Sequence, residues 1–186
     1  IDAQGGGIGK QLVTAIKKNV ENAYITAIGT NYLATSAMLK AGADQAATGE
    51  NPLIVACRKA DVIIGPVGIV IADALYGEIT PKMAVAVGQS DAVKILLPVN
   101  KCTNLIAGVS DVNMTTIIDD VISKSYLTIV VYIFVVFIFK HSICVVFLEQ
   151  TALYLINLIE KELLLYNTDI KLLCHAFTVK SLKMLF

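Results

Sequence analysis

Ile1-Asp2-Ala3-Gln4-Gly5-Gly6-Gly7-Ile8-Gly9-Lys10-Gln11-Leu12, residues 1–12, decides the fold. Ile1-Asp2-Ala3 reads as the end of a buried strand, and residues 7–19 carry Ile8, Leu12, Ala15 and Ile16 at helical spacing. A strand that runs straight into a helix leaves the first helical N–H groups without intrahelical partners. Four glycines in the five positions 5–9 let the chain turn sharply there and let a ligand approach those donors. The helix dipole favours negative charge at this end by about 0.3 to 1 kcal/mol at exposed sites. The loop is therefore expected to hold a small anionic ligand, with Gln4, Gly5, Gly6, Gly7, Ile8 and Gly9 as the cradle and Lys10 as a cation on its rim. A domain of this kind opens with several apolar residues ahead of its glycines, where only Ile1 stands, so the reading expects an N-terminal truncation.

Outward from the loop, strand-like and helix-like stretches alternate. Residues 23–29 are a short apolar strand, 32–40 a helix stopped by Gly42, and 61–65 a buried strand. Ala46 to Thr48 is too short to assign, and Gly49-Glu50-Asn51-Pro52 starts a helix. Residues 68–75 fit helix or strand by composition, and their position after Gly65-Pro66 favours helix. Thr80-Pro81 is a cap followed by a first-turn proline, leading a helix over 82–87. Residues 93–99 and 104–109 read as strands, and Ser110 or Asp111 as the cap of a last helix through Ile122. The expected fold class is α/β: a three-layer, Rossmann-like, mainly parallel sheet. Its ligand crevice would lie beyond the carboxyl ends of the strands. Thr30, Asn31, Gly65 and Pro66 would join the glycine loop there.

Three known loop patterns compete, and each lacks a part. G-x-G-x-x-G would need its third glycine at Lys10. The short-chain dehydrogenase loop also requires a Tyr with Lys four residues on, and none of the seven Tyr has one. The P-loop would place Gln11 where Ser or Thr holds magnesium. The acid that binds a ribose at the end of the second strand is replaced by Thr30-Asn31. The cofactor is therefore open, with NAD(P) or another nucleotide as the class. Gly65-Pro66-Val67-Gly68 fits a second donor loop and a rigid corner equally well. Glu50, Asp73 and Glu78 are the acids near the crevice, each available as a proton acceptor or simply solvated. Asn100 points to the crevice or to loop structure, and Cys57 and Cys102 read as packed thiols without a partner base.

Composition sets the outer bounds. The net charge is zero and no run of Lys or Arg tracks a phosphate backbone, so nucleic acid is not an expected partner. The four cysteines are widely spaced with no His at ligand intervals, which argues against a metal site or a disulfide framework and for a cytoplasmic protein. All twelve glycines and all four prolines lie at or before Gly108, whereas all six phenylalanines and both histidines lie from Phe134 onward. Two domains are expected: 1–124, and an apolar helical C-terminal extension over 125–186. As a helix, residues 126–148 would be about 34 Å long, enough to cross a bilayer. The segment also reads as a helical arm packing on the domain, with 151–165 helical, or, as the favoured reading, as read-through past a natural stop, in which case 128–139 is aggregation-prone.

Taken in order, residues 5–10, 29–31, 33–43, 47–51, 65–75 and 77–81 resemble one bacterial family, known as domain of unknown function 3842. The resemblance covers about residues 1–122. It implies a small cytoplasmic Rossmann-like protein and no particular activity, substrate or catalytic residue. The expected function is nucleotide or phosphate-ligand binding at the 5–9 loop. The alternatives are a cofactor-dependent enzyme of unassigned reaction, or a membrane-tethered binding domain.

Overall fold

The computed structural model describes residues 1–99, 104, 106, 109, 113–140 and 183–185. Contacts divide the chain into two compact units, Ile1–Ile129 with Ser181–Phe186, and Val130–Lys180. In the first unit α1 (Gly7–Asn19), β1 (Tyr24–Gly29), α2 (Tyr32–Lys40), β2 (Gln45–Thr48), α3 (Glu50–Cys57) and β3 (Val62–Pro66) alternate. A 3-10 turn (Val67–Val70), α4 (Pro81–Gln89) and β4 (Val93–Leu97) follow. Then come α5 (Met114–Lys140), which continues past Ile129, and β5 (Lys183–Leu185), which pairs back into the sheet. The sheet order is β2-β1-β5-β3-β4, and every pairing is parallel.

Local sequence explains most element bounds. α1 buries Gly9, Leu12, Val13 and Ile16 on one stripe. α2 starts at Asn31, whose side chain accepts from Ala34 N at 3.0 Å, and α4 starts at Thr80, which caps Met83 N at 3.2 Å. Thr80 also donates its hydroxyl to Glu50 Oε2 at 2.6 Å, joining the starts of α3 and α4. Thr80→Ala removes both contacts and should cost about 1 to 2 kcal/mol in urea denaturation. A loss below a few tenths would remove this cap from the account.

β3 is buried along its whole length, and its residues divide alternately between two apolar clusters. Val62 and Ile64 join Leu12, Val13, Ile16, Ile25, Met38 and Val121. Ile63 joins Ile28, Leu53, Ile69, Ile79, Met83 and Val87. Because successive strand residues point to opposite faces, the two clusters lie on the two sides of the sheet. One is built with α1, α2 and the first part of α5, the other with α3, α4 and the 3-10 turn.

The middle of the sheet is shared by both ends of the chain. Asp2 bridges Gly29 in parallel, Asp2 N donates to Ile28 O at 3.1 Å, and Thr30 N donates to Asp2 O at 3.1 Å. Behind this short piece, Leu185 pairs with Thr26 and with Ile63. Ile1 is buried, and its amine donates to Ile64 O at 2.8 Å. Gly65 makes this close approach workable, since a Cβ there would lie 2.5 Å from Ile1 O.

Several expectations are corrected. Residues 68–75 form no α-helix: after the 3-10 turn, Asp73, Leu75 and Tyr76 take left-handed φ values of 59°, 56° and 61°. Asp73 N then donates to Ile79 O at 2.8 Å, closing the segment as a loop. The last helix is capped by Asn113, which accepts from Thr116 N at 2.9 Å, rather than by Ser110 or Asp111. That helix runs to Lys140 rather than Ile122, because nothing after Gly108 supplies a glycine or proline to stop it. Residues 183–185, expected in a helical extension, form a strand where β1 and β3 both offer backbone groups that burial requires to be paired. Ala46 to Thr48, too short to assign by pattern, belong to β2. The strand expected at 104–109, and Asn100 and Cys102, fall wholly or mostly outside the described residues. Among the described residues no helix is long and apolar enough to cross a membrane, and the candidate span 126–148 lies only partly within them.

Candidate functional site

The glycine loop leaves the Ile1–Ala3 strand end and enters α1 through Gly6, the N-cap, at φ +69°. Its four glycines divide into two kinds. A Cβ on Gly6 would lie 2.6 Å from Ala34 Cα, and one on Gly9 would lie 2.5 Å from Met38 Sδ. These two let α1 and α2 pack. Gly5 and Gly7 are exposed, and a Cβ on either would meet nothing within 4 Å. No contact with the fold requires their lack of a side chain.

The loop's donors are partly engaged by the protein's own carboxylates. Asp2 is buried and accepts from Gly9 N at 2.6 Å and from Ala3 N at 2.8 Å, so it caps the third residue of α1 from the preceding strand. Gly6 N donates to Ala3 O at 3.1 Å. The amides of Gly7 and Ile8 precede the first intrahelical bond, which is Lys10 N to Gly6 O at 2.9 Å, and take no partner among the described residues. The open donors are thus the amides of Gly7 and Ile8, with Lys10 exposed one residue past the packed Gly9.

Glu78 forms a second node. Its Oε2 accepts from Gln4 N at 2.9 Å, from Asn31 Nδ2 at 2.9 Å, and from the Thr30 hydroxyl. Asn31 Nδ2 also donates to Gln4 O at 2.9 Å. Partial burial works to raise the Glu78 pKa. The hydrogen bonds from Thr30, the Gln4 amide and Asn31 outweigh it and hold the carboxyl below its ordinary value. Gln4, Thr30 and Asn31, three residues singled out by sequence, are therefore brought together around a fourth weighed there only as one of three acids. Glu78 lies 48 residues from Thr30 along the chain, and no local pattern announces the pairing. By pattern alone Asp2 is a strand end. Its place immediately before a glycine-rich helix start is the signal that it caps the helix.

The other candidates lie apart from this node or are already engaged. Gly65 and Pro66 are buried in β3, Gly65 against Ile1. Glu50 is engaged by Thr80 and by Lys82 at 3.7 Å. Asp73 is exposed on the left-handed loop. Cys57 is buried, and that burial pushes its thiol pKa up, away from nucleophilic use. Among the described residues no group of three His, Cys, Asp or Glu could hold a metal ion.

Two surface cavities lie elsewhere. One of about 490 Å³ is lined by Tyr24, Gln45, Pro52, Val55 and Lys59 among others, and one of about 670 Å³ by Cys57, Arg58, Lys82, Val85 and Asp91 among others. Neither includes a residue of 4–10. No curated protein and no solved structure matches the chain. A family model described as a domain of unknown function, DUF3842, matches residues 1–129, and the chain belongs to that family.

Proposed function

We propose that residues 1–129 are a Rossmann-like, three-layer domain that binds a phosphate-bearing nucleotide at the edge of the 5–9 loop. The strand order supports the layout. From the central position held by Ile1–Ala3 and β5, the chain steps outward to β1 and β2, then crosses to β3 and β4 on the other side. Ligands of open parallel sheets bind where the order reverses, beyond the carboxyl ends of the strands. The glycine loop leaves the central strand at that reversal.

The observation that carries the reading is the open space over Gly5 and Gly7 beside the unpartnered amides of Gly7 and Ile8. Glycine where any side chain would fit suits a ligand that must approach the backbone closely. Because Asp2 already holds Gly9 N, the phosphate sits toward Gly5, Gly7 and Ile8, with Lys10 offsetting the carboxylates nearby. Exposed Tyr32 and Tyr76, close in sequence to Asn31 and Glu78, offer ring faces to a base. A binding role is favoured over catalysis because Glu50 and Cys57 are committed to packing and internal hydrogen bonds.

Thermal-shift measurements on the full chain with ATP, GTP, NAD and NADP test this. A binding nucleotide at 100 times its Kd should stabilise the fold by about 2.7 kcal/mol. Gly7→Val, whose side chain enters open space, should keep the unliganded melting temperature and abolish the shift. No shift with any of the four, or an undiminished shift in Gly7→Val, overturns the proposal.

A further inference from the structure

The end of β1, next to the glycine loop, is where a bound ribose would need an acceptor, and the residues there are Thr30 and Asn31. The acceptor arrives from elsewhere. Glu78 is carried over from the loop that follows β3 and lodges against Thr30, Asn31 and the Gln4 amide. All three donors go to one oxygen, Oε2. The other, Oε1, takes no partner among the described residues, and the side chain is half-buried.

A carboxylate tied down on one oxygen by three donors from two separate segments, Gln4 and Thr30-Asn31, has its second oxygen fixed in place as an acceptor. Such support by neighbouring hydrogen bonds is what gives a binding group its precision. An ionised carboxylate has no hydrogen to give, so it takes hydroxyls and turns phosphates away. Its tie to Gln4, the residue before Gly5, holds it at the start of the glycine loop.

We infer that Glu78 is the hydroxyl acceptor of the nucleotide site, binding the ribose 2′-hydroxyl through Oε1 and selecting ribonucleotides over 2′-deoxy and 2′-phosphorylated forms. This rests on the nucleotide reading above and adds the ligand's sugar to it. It also explains why no acid is needed at the end of β1: the chain brings one in from the 71–79 loop, itself anchored by buried Ala74, Leu75 and Ile79.

The test uses the full chain with three pairs of probes: ATP and dATP, GTP and dGTP, NAD and NADP. Whichever nucleotide binds, the form with a free 2′-hydroxyl should bind about tenfold or more tightly than its partner, the effect of one hydrogen bond to a charged group. Glu78→Gln then isolates the cause. The amide oxygen can still accept from Gln4, Thr30 and Asn31, while the outer atom changes from acceptor to donor. The variant should lose most of that preference and bind NADP at least as well as the wild type. Equal affinities within every pair in the wild type overturn the inference while leaving phosphate binding at the loop intact, as does an unchanged preference in Glu78→Gln. Should the variant fail to fold, the wild-type pairs decide alone. If none of the six binds, this inference and the function proposed above fall together.

Discussion

Gly6→Ala is expected to destabilise the protein by about 3 kcal/mol, while Gly5→Ala and Gly7→Ala stay within about 0.5 kcal/mol of the parent. Gly6 sits at φ +69°, where a Cβ costs roughly 1 to 2 kcal/mol on its own. The added methyl would also lie 2.6 Å from Ala34 Cα and 2.9 Å from Ala34 O, which are backbone atoms of α2 and have no rotamer to change. Relief requires moving α2 away from α1, and with it Met38 and Ala34, both fully buried between them. Overpacking of this kind adds about 1 to 3 kcal/mol. Urea unfolding of the three variants side by side reads the difference directly. If Gly6→Ala is as stable as Gly7→Ala, the packing of the loop on α2 is not as described. The division of the glycine loop into two structural and two spare positions then collapses.

That division shows how far a sequence reading reaches. Four glycines in five positions look like more than a turn needs. Two of them turn out to be required by helix packing, through atoms of Ala34 and Met38 that lie some thirty residues away. The surplus is smaller than the pattern suggests, and it sits at Gly5 and Gly7. Elements whose causes are local were legible. α2 starts at Asn31 and stops before Gly42, and α4 starts at Thr80-Pro81, because caps and prolines act within one helical turn. Elements whose causes are distant were not. β5 is a strand because β1 and β3 hold a parallel slot open between them, and nothing in Lys183-Met184-Leu185 says so. The left-handed residues 73, 75 and 76 are set by closure of that loop on Ile79. The same limit applies to the site. Gln4, Thr30 and Asn31 stand at the ends of recognisable strands, so topology alone gathers them. Glu78 joins them through tertiary structure only.

A polypeptide whose first residue is Ile1 should lose roughly 3 kcal/mol of stability as the pH falls from 8 to 5, well above the range in which carboxylates titrate. The cause is the α-amine. It lies inside the sheet, donating to Ile64 O, and desolvation drives its pKa from 8.0 to about 5 against the opposing pull of Asp2. In the folded protein the amine is neutral above about pH 5, whereas in the unfolded chain it is protonated below about pH 8. Between those values the unfolded state binds the extra proton, so stability rises with pH across the window and is fully present only above it. Asp44 and Glu78 have the opposite sign. Partial burial acts to raise both, but Lys17 and the Ile25 amide hold Asp44 down, and Thr30, the Gln4 amide and Asn31 hold Glu78 down. Their contributions are present above the ordinary carboxylate pKa and vanish as the pH drops through their lowered values, giving a separate acid limb. Urea midpoints at pH 8, 6.5 and 5 resolve the upper limb. The control is a chain extended by residues before Ile1, so that an amide replaces the amine and has no proton to gain. Every other titratable side chain is common to both chains, so the difference between the two curves isolates the amine. Parallel curves would mean that Ile1 lies open to water, and the close approach of its carbonyl to Gly65 would lose its support.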